Sequence, residues 1–336
     1  MNAVKKVVTF GELMLRLAAP GTERLLQTPR LDATFGGSEA NVAIGLSLLG
    51  IPASHVTVLP DQNPLSDLCV GELRRYGVDT SDIARSQGRF GLYYLESGAN
   101  QRPPRILYDR ESSAMALAKL GTVNWEPIFQ NAGWFHVSEI TPAISASAAD
   151  LTLDAMRRAK KAGLTVSCDL NHRKNLWKWG SDARDVMPVL MKHTDIVIGN
   201  RETMDVVLDV AVKGDFKALT RKSLKAYPSL KTIVLTRRES RSASHNGWSA
   251  CLDDGKKFLE SRHYEITHIV ERVGGGDAFD AGLIYGFLML PTVQEALEFA
   301  SATAVLKHSI PGDFSRSSIE EVVALLKDGG SGKVQR

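Results

Sequence analysis

The stretch Val273-Gly274-Gly275-Gly276-Asp277-Ala278-Phe279-Asp280-Ala281-Gly282 leads from an extended-looking segment at 268–273 into a long apolar helical pattern. Three glycines at a helix start leave backbone N–H groups uncovered, so an anion can approach them and the positive end of the helix dipole. Asp277 falls in the first turn, close enough to accept a proton from a hydroxyl that attacks a phosphoryl group there. The same residues also suit a tight turn in which Asp277 merely caps the helix. Competing nucleotide motifs fail. The chain has no GxxxxGK[ST] loop, Phe279 stands where a GxGxxG dinucleotide turn needs its last glycine, and protein-kinase catalytic-loop and DFG sequences are missing.

Working outward, apolar runs at 4–10, 133–137, 164–169, 195–198 and 232–236 read as strands, and amphipathic stretches at 148–162 and 183–193 read as helices with a 3.6-residue period. Strands alternating with helices imply a mostly parallel sheet covered on both faces, with ligands at the carboxyl ends of the strands. Two stretches break the alternation, at about 13–35 and 90–113. Their turn residues and short strands suggest a small β-sheet that projects as a lid or a dimer surface. The expected organisation is one α/β domain over 1–336 carrying these lid segments.

A second glycine turn, Phe35-Gly36-Gly37-Ser38-Glu39-Ala40-Asn41-Val42-Ala43, opens another helical pattern that ends at Gly50. The paired glycines permit close backbone approach, and Asn41 offers both donor and acceptor, which suits the vicinal hydroxyls of a polyol. A plain turn and helix start would look alike. Composition narrows the ligand little: 43% hydrophobic and 24% charged residues in 336 is an ordinary globular balance, and a net charge of +3 gives no global reason to expect nucleic acid. The three cysteines form no CxxC pair and the eight histidines no HExxH, so zinc is not expected. No apolar run approaches the ~20 residues of a membrane span, and no signal-peptide core develops, so a cytoplasmic protein is expected. The closing glycine-rich, basic stretch 328–336 reads as a solvated tail.

Together the two glycine motifs resemble the paired signatures of the ribokinase-like, phosphofructokinase-B type carbohydrate kinases. Within that family the chain is most similar to 2-keto-3-deoxygluconate kinases, on Thr9-Phe10-Gly11-Glu12-Leu13-Met14-Leu15-Arg16-Leu17, Tyr108-Asp109-Arg110, Asp169-Leu170-Asn171-His172-Arg173 and Glu271-Arg272-Val273-Gly274-Gly275-Gly276-Asp277. The resemblance implies a three-layer α/β/α fold with a β-sheet lid. It also implies ATP and Mg²⁺ as cofactors and a sugar acid as the molecule phosphorylated. By position, Gly274, Gly275 and Gly276 would form an anion hole and Asp277 would be the base. Gly37, Asn41, Tyr93, Tyr108, Arg110 and Arg173 would bind the acid, and Asn200 and Thr236 the nucleotide. The two arginines make independent physical sense, because a planar guanidinium grips a carboxylate through paired hydrogen bonds. The family's Asn-x-x-Glu pattern is broken here, with Thr203 in the last position and Glu202 one place early, which leaves open the carboxylate that organises Mg²⁺; no direct metal ligand is expected, and Glu202 acting through water is the candidate. The loop expected at 237–240 lacks the glycine of many relatives. A sister kinase for fructose, ribose or 5-keto-2-deoxygluconate, or a non-catalytic sugar or nucleotide sensor, would share most of these features. A dimer through the lid sheet is expected, since exposed sheet edges and faces are usually covered.

Overall fold

A computed structural model describes residues 4–329. The 330–336 part of the expected tail lies outside the described residues. A nine-stranded sheet forms the centre, in the order Phe258–Glu260, His245–Asp253, Thr232–Ser242, Ile196–Gly199, Thr165–Asp169, Ala132–Ser138, Lys6–Phe10, Ala53–Val56, with Tyr264–Ile266 also paired to His245–Asp253. From Thr232–Ser242 to Ala53–Val56 every neighbouring pair is parallel, whereas the far edge is antiparallel.

The apolar runs lie between two cores because successive side chains point to opposite faces. Val7, Trp134, Ile198 and Val234 face one core; Val8, Phe135, Val197 and Ile233 face the other. Helices cover both. Ala146–Lys161 buries Leu151, Ala155, Met156 and Ala159 on one stripe against the second core. Its basic last turn is only partly solvated: Lys160 reaches the buried carboxylate of Asp195 at 2.6 Å.

Two expectations change. Residues 268–273, expected to be extended, form bends and a turn, because the N–H groups of Val270 and Glu271 both turn to the carbonyl of His308 at a helix end. Residues 237–240 are not a loop. They continue Thr232–Ser242 as an antiparallel hairpin with His245–Asp253, whose ladder supplies the hydrogen bonds that the polar Arg237-Arg238-Glu239-Ser240 sequence did not advertise.

A separate four-stranded sheet, in the order Asp32–Gly36, Met14–Ala18, Leu92–Glu96, Arg105–Asp109, comes from the two irregular stretches. Tyr93 and Tyr108 sit opposite each other across it, with ring centroids 6.2 Å apart.

Candidate active site

The two glycine turns meet because their helices cross at small residues. A Cβ on Gly45 would stand 2.8 Å from that of Ala281, so Ser38–Leu48 and Gly275–Met289 pack nearly backbone to backbone. Their first turns then converge on one carboxylate. Ser38 Oγ donates to Asp277 Oδ1 at 2.7 Å, and Asn41 Nδ2 donates to Asp277 Oδ2 at 2.6 Å. Asn41 Oδ1 in turn accepts the Gly37 N–H at 3.3 Å. The Asn41 amide is therefore engaged with the Asp277 carboxylate, which it orients. Ser38 escaped sequence reading, since a serine beside a glycine turn carries no distinguishing pattern.

Burial pushes the Asp277 carboxyl above its ordinary pKa, and the bonds from Asn41 and Ser38 work against that shift by stabilising the charged form. The result is a carboxylate more basic than usual with its orientation set by two neutral donors.

Gly274 enters the helix with φ 82°, and a Cβ there would meet the Asp313 carbonyl oxygen at 2.0 Å, so glycine is required. At Gly276 a Cβ would meet nothing within 4 Å. The amides of Gly276 and Asp277 precede the first intrahelical bond, from Ala278 N–H to the Gly274 carbonyl, and so lack an i−4 partner. Gly275 lies behind the turn against His308.

These residues open onto a cavity of about 860 Å³. The structure brings the other predicted positions to its wall: Gly37 and Asn41 near Asp277; Tyr93, Tyr108 and Arg110 from the small sheet; Arg173 from a strand end; Asn200, Glu202 and Thr236 toward the other side. Parallel strands explain the last group, because Ile196–Gly199 and Thr165–Asp169 deliver the loops that follow them to the same edge.

At the small-sheet end Arg110 is 6% exposed and ion-paired with Glu12, whose Oε2 accepts from Arg110 Nε at 2.6 Å, while Nη1 has no partner. The Tyr93 hydroxyl donates to Asp313, which also pairs with Arg16; Arg16 Nη2 reaches Glu271 Oε2 at 2.6 Å. Glu271 Oε1 accepts the N–H groups of Arg272 and Val273. A buried ionic chain thus ties the small sheet to the glycine turn. None of Glu12, Arg16 and Asp313 was singled out from the sequence, because their partners are far away along the chain.

On the opposite side Asn200 caps Arg201–Leu208. Its Oδ1 accepts the Thr203 N–H at 3.0 Å, and Thr203 Oγ1 accepts the Asn200 N–H at 2.9 Å. Thr203 is therefore occupied by the cap. The Glu202 carboxylate lines the cavity with no hydrogen bond or ion pair among the described residues. Thr236 Oγ1 donates to the Gly199 carbonyl at 3.2 Å.

Beneath Asp277 lie two further carboxyls. Burial, followed by the Asp277 charge, raises Asp169 to about 8, and burial with the Asp169 charge pushes Asp280 well above the carboxylate range. Two carboxyls buried this close together favour retaining a proton. His136, 3.7 Å from Asp280, is held neutral by burial, with its pKa down to about 3. Among the described residues no cluster of side chains suited to direct metal binding occurs, and no helix is long and apolar enough to cross a membrane.

A buried carboxylate oriented by two donors in the first turn of a glycine-started helix, facing a cavity of about 860 Å³, is suited to phosphoryl transfer to a hydroxyl. The pfkB family carbohydrate kinase model matches residues 4–315, and the chain belongs to that family. It is 32% identical to a 2-dehydro-3-deoxygalactonokinase of Haloferax volcanii, over 97% of this chain and 98% of that one. It is 29% identical to a 2-dehydro-3-deoxygluconokinase of Bacillus subtilis, over 94% of each. Among solved structures, the 2-dehydro-3-deoxygluconokinase of Thermotoga maritima is 45% identical and superposes with a TM-score of 0.92, over 96% of this chain and 98% of that one. The fold is ribokinase-like and the protein is a carbohydrate kinase.

Proposed function

We propose that the enzyme transfers the γ-phosphoryl group of ATP to the terminal hydroxyl of 2-keto-3-deoxygluconate, giving the 6-phosphate and ADP. The observation that carries this reading is Asp277, oriented by Ser38 and Asn41 beside the open amides of Gly276 and Asp277. The hydroxyl oxygen attacks the γ-phosphorus in line, its proton passes to Asp277, and the bond from phosphorus to the bridging oxygen of ADP breaks. The amides at the helix start stabilise the charge that builds on the transferring group. Asp277 contributes about 10²- to 10⁴-fold.

The acid end is supported by Arg110, which lines the cavity and whose buried Nη1 has no partner, a guanidinium suited to a substrate carboxylate, with Tyr93, Tyr108 and Arg173 also in the lining. Asn200 and Thr236 would lie beside the nucleotide. Glu202, an unpaired carboxylate in the cavity, fits a role in holding hydrated Mg²⁺, with Asn200 adjacent. When bound, Mg²⁺ neutralises phosphate charge.

The name of the Haloferax relative favours a second reading, in which the galacto epimer is the substrate. A dimer through the small sheet fits the row Ala33, Leu17, Tyr94, Leu107 on its strands, where Leu107 is 43% exposed. A cytoplasmic setting suits substrates of this kind.

The test is ADP release with Mg-ATP across 2-keto-3-deoxygluconate, its galacto epimer, 5-keto-2-deoxygluconate, gluconate, fructose and ribose, with Asp277→Asn as control. Preference for the keto-deoxy acid is expected, with turnover lost in the variant. Preference for a neutral sugar would overturn the role given to Arg110. Near-native turnover in Asp277→Asn would overturn the base, and silence throughout would favour a sensor.

A further inference from the structure

Seven arginines of the cavity and its buried surround divide into two groups. Arg110, Arg16 and Arg237 each have a carboxylate partner: Glu12, the Glu271 and Asp313 pair, and Glu260 at 2.6 Å. Arg173, Arg201, Arg238 and Arg272 have none among the described residues; Arg201 is held by the Val212 and Gly214 carbonyls, which leaves Arg173, Arg238 and Arg272. Arg173 donates only to the neighbouring His172 carbonyl. Arg272 Nη2 reaches two neutral oxygens, Ser240 Oγ at 3.0 Å and Asn246 Oδ1 at 3.3 Å. Arg238 lies over the Trp248 ring, 5.2 Å from its centroid, and its guanidinium makes no hydrogen bond among the described residues.

These three arise on separate elements: the loop after Thr165–Asp169, the strand Thr232–Ser242 and the turn before Gly275–Met289. All line the same cavity as Gly274 and Gly276. They are near enough to oppose one another's charge. Arg238 is exposed within the cavity mouth, and partial desolvation, then Arg272 and Arg173, holds its guanidinium down to about 10. Like charges gathered in one cavity without a counter-charge repel one another, and an anion bound among them relieves that repulsion. Arg173 already stands near Asp277 and the acid subsite. Arg238 and Arg272 are left without an assigned partner.

We infer that Arg238 and Arg272 form a clamp on the phosphate chain of the nucleotide, holding it against the turn that begins at Gly274. The inference rests on the kinase reading and adds two phosphate-binding residues to it. Arg272 grips from the turn itself, two residues before Gly274, and Arg238 closes from the strand across the cavity, its position kept by Trp248. Guanidinium suits this task because its fork matches phosphate oxygens and its charge persists at every working pH.

The experiment is calorimetric binding of ADP, AMP and inorganic tripolyphosphate to wild type, Arg238→Met, Arg238→Ala and Arg272→Met, alongside sugar-acid binding and apo melting temperature. Arg238→Met keeps an apolar contact to Trp248 should the alanine variant fold poorly. Each methionine variant should lose about 10- to 100-fold in ADP and tripolyphosphate affinity, the range of a charge-assisted hydrogen bond. AMP and sugar-acid affinities should stay within about 3-fold under the same reasoning, and apo melting should be unchanged or higher as repulsion is relieved. Native ADP affinity in both variants would overturn the clamp, as would equal loss for AMP and ADP, or selective loss of sugar-acid binding. Failure of the wild type to bind ADP would instead refute the kinase reading.

Discussion

Asn41 and Asp277 stand 236 positions apart in the chain, yet the Asn41 amide donates to the Asp277 carboxylate at 2.6 Å. With Ser38, it is the device that tempers the basicity of the proposed base. Asp277 accepts a proton only when ionised, and burial raises its pKa, so kcat/KM should fall as pH drops through a point above the ordinary carboxylate range. Ser38→Ala removes one donor to the charged form, and the acid limb should move to higher pH. A pH–rate profile measures both, and an unmoved limb would remove Ser38 from this role.

Gly274 and Gly276 separate folding from chemistry. Gly274→Ala places a Cβ 2.0 Å from the Asp313 carbonyl at φ 82°, and the melting temperature should fall by many degrees. Gly276→Ala meets nothing within 4 Å and favours the helix by roughly 0.5–1 kcal/mol, so melting should hold or rise. Its methyl would intrude on the anion surface, and kcat/KM should drop on the order of 10²-fold. Scanning calorimetry with steady-state kinetics checks the pair.

Arg110→Ala should raise KM for the sugar acid about 10- to 100-fold, the loss of a charge-assisted contact, with KM for ATP nearly unchanged. The variant also strands the Glu12 carboxylate, 4% exposed, and should melt earlier for that reason. Adding Glu12→Gln should restore much of the stability without restoring the KM. If the double variant recovers both, Arg110 serves only to neutralise Glu12.

Asp169 should leave a pH signature on stability. Folded, it keeps its proton to about pH 8, whereas the unfolded chain releases it near the ordinary value of about 4. Between these the native state binds more protons, so the group's contribution to stability declines as pH rises from about 4 to about 8. Asparagine has no such dependence. The melting temperature of Asp169→Asn minus that of wild type should therefore grow by a few degrees from pH 5 to pH 8.5. A constant difference would assign the retained proton elsewhere.

The opening glycine turn and the helix behind it were legible because they are local: three glycines, an acid in the first turn and an apolar period need no distant partner. The parallel strands were legible for the same reason, as short β-branched runs. The continuation of Thr232–Ser242 was not, since Arg237-Arg238-Glu239-Ser240 becomes a strand only through the ladder offered by His245–Asp253.

What the amino-acid sequence by itself determined is the alternation of strand and helix, the two glycine turns and the residue types offered at each. These depend on backbone freedom and side-chain period within a few residues. The tertiary structure alone decided which charges face which. The crossing at Gly45 and Ala281 puts Asn41 on Asp277, and the small sheet carries Arg16 to Glu271 and Asp313. Buried charges are stable only with partners, and partners are chosen by the folded path of the chain, not by their spacing along it.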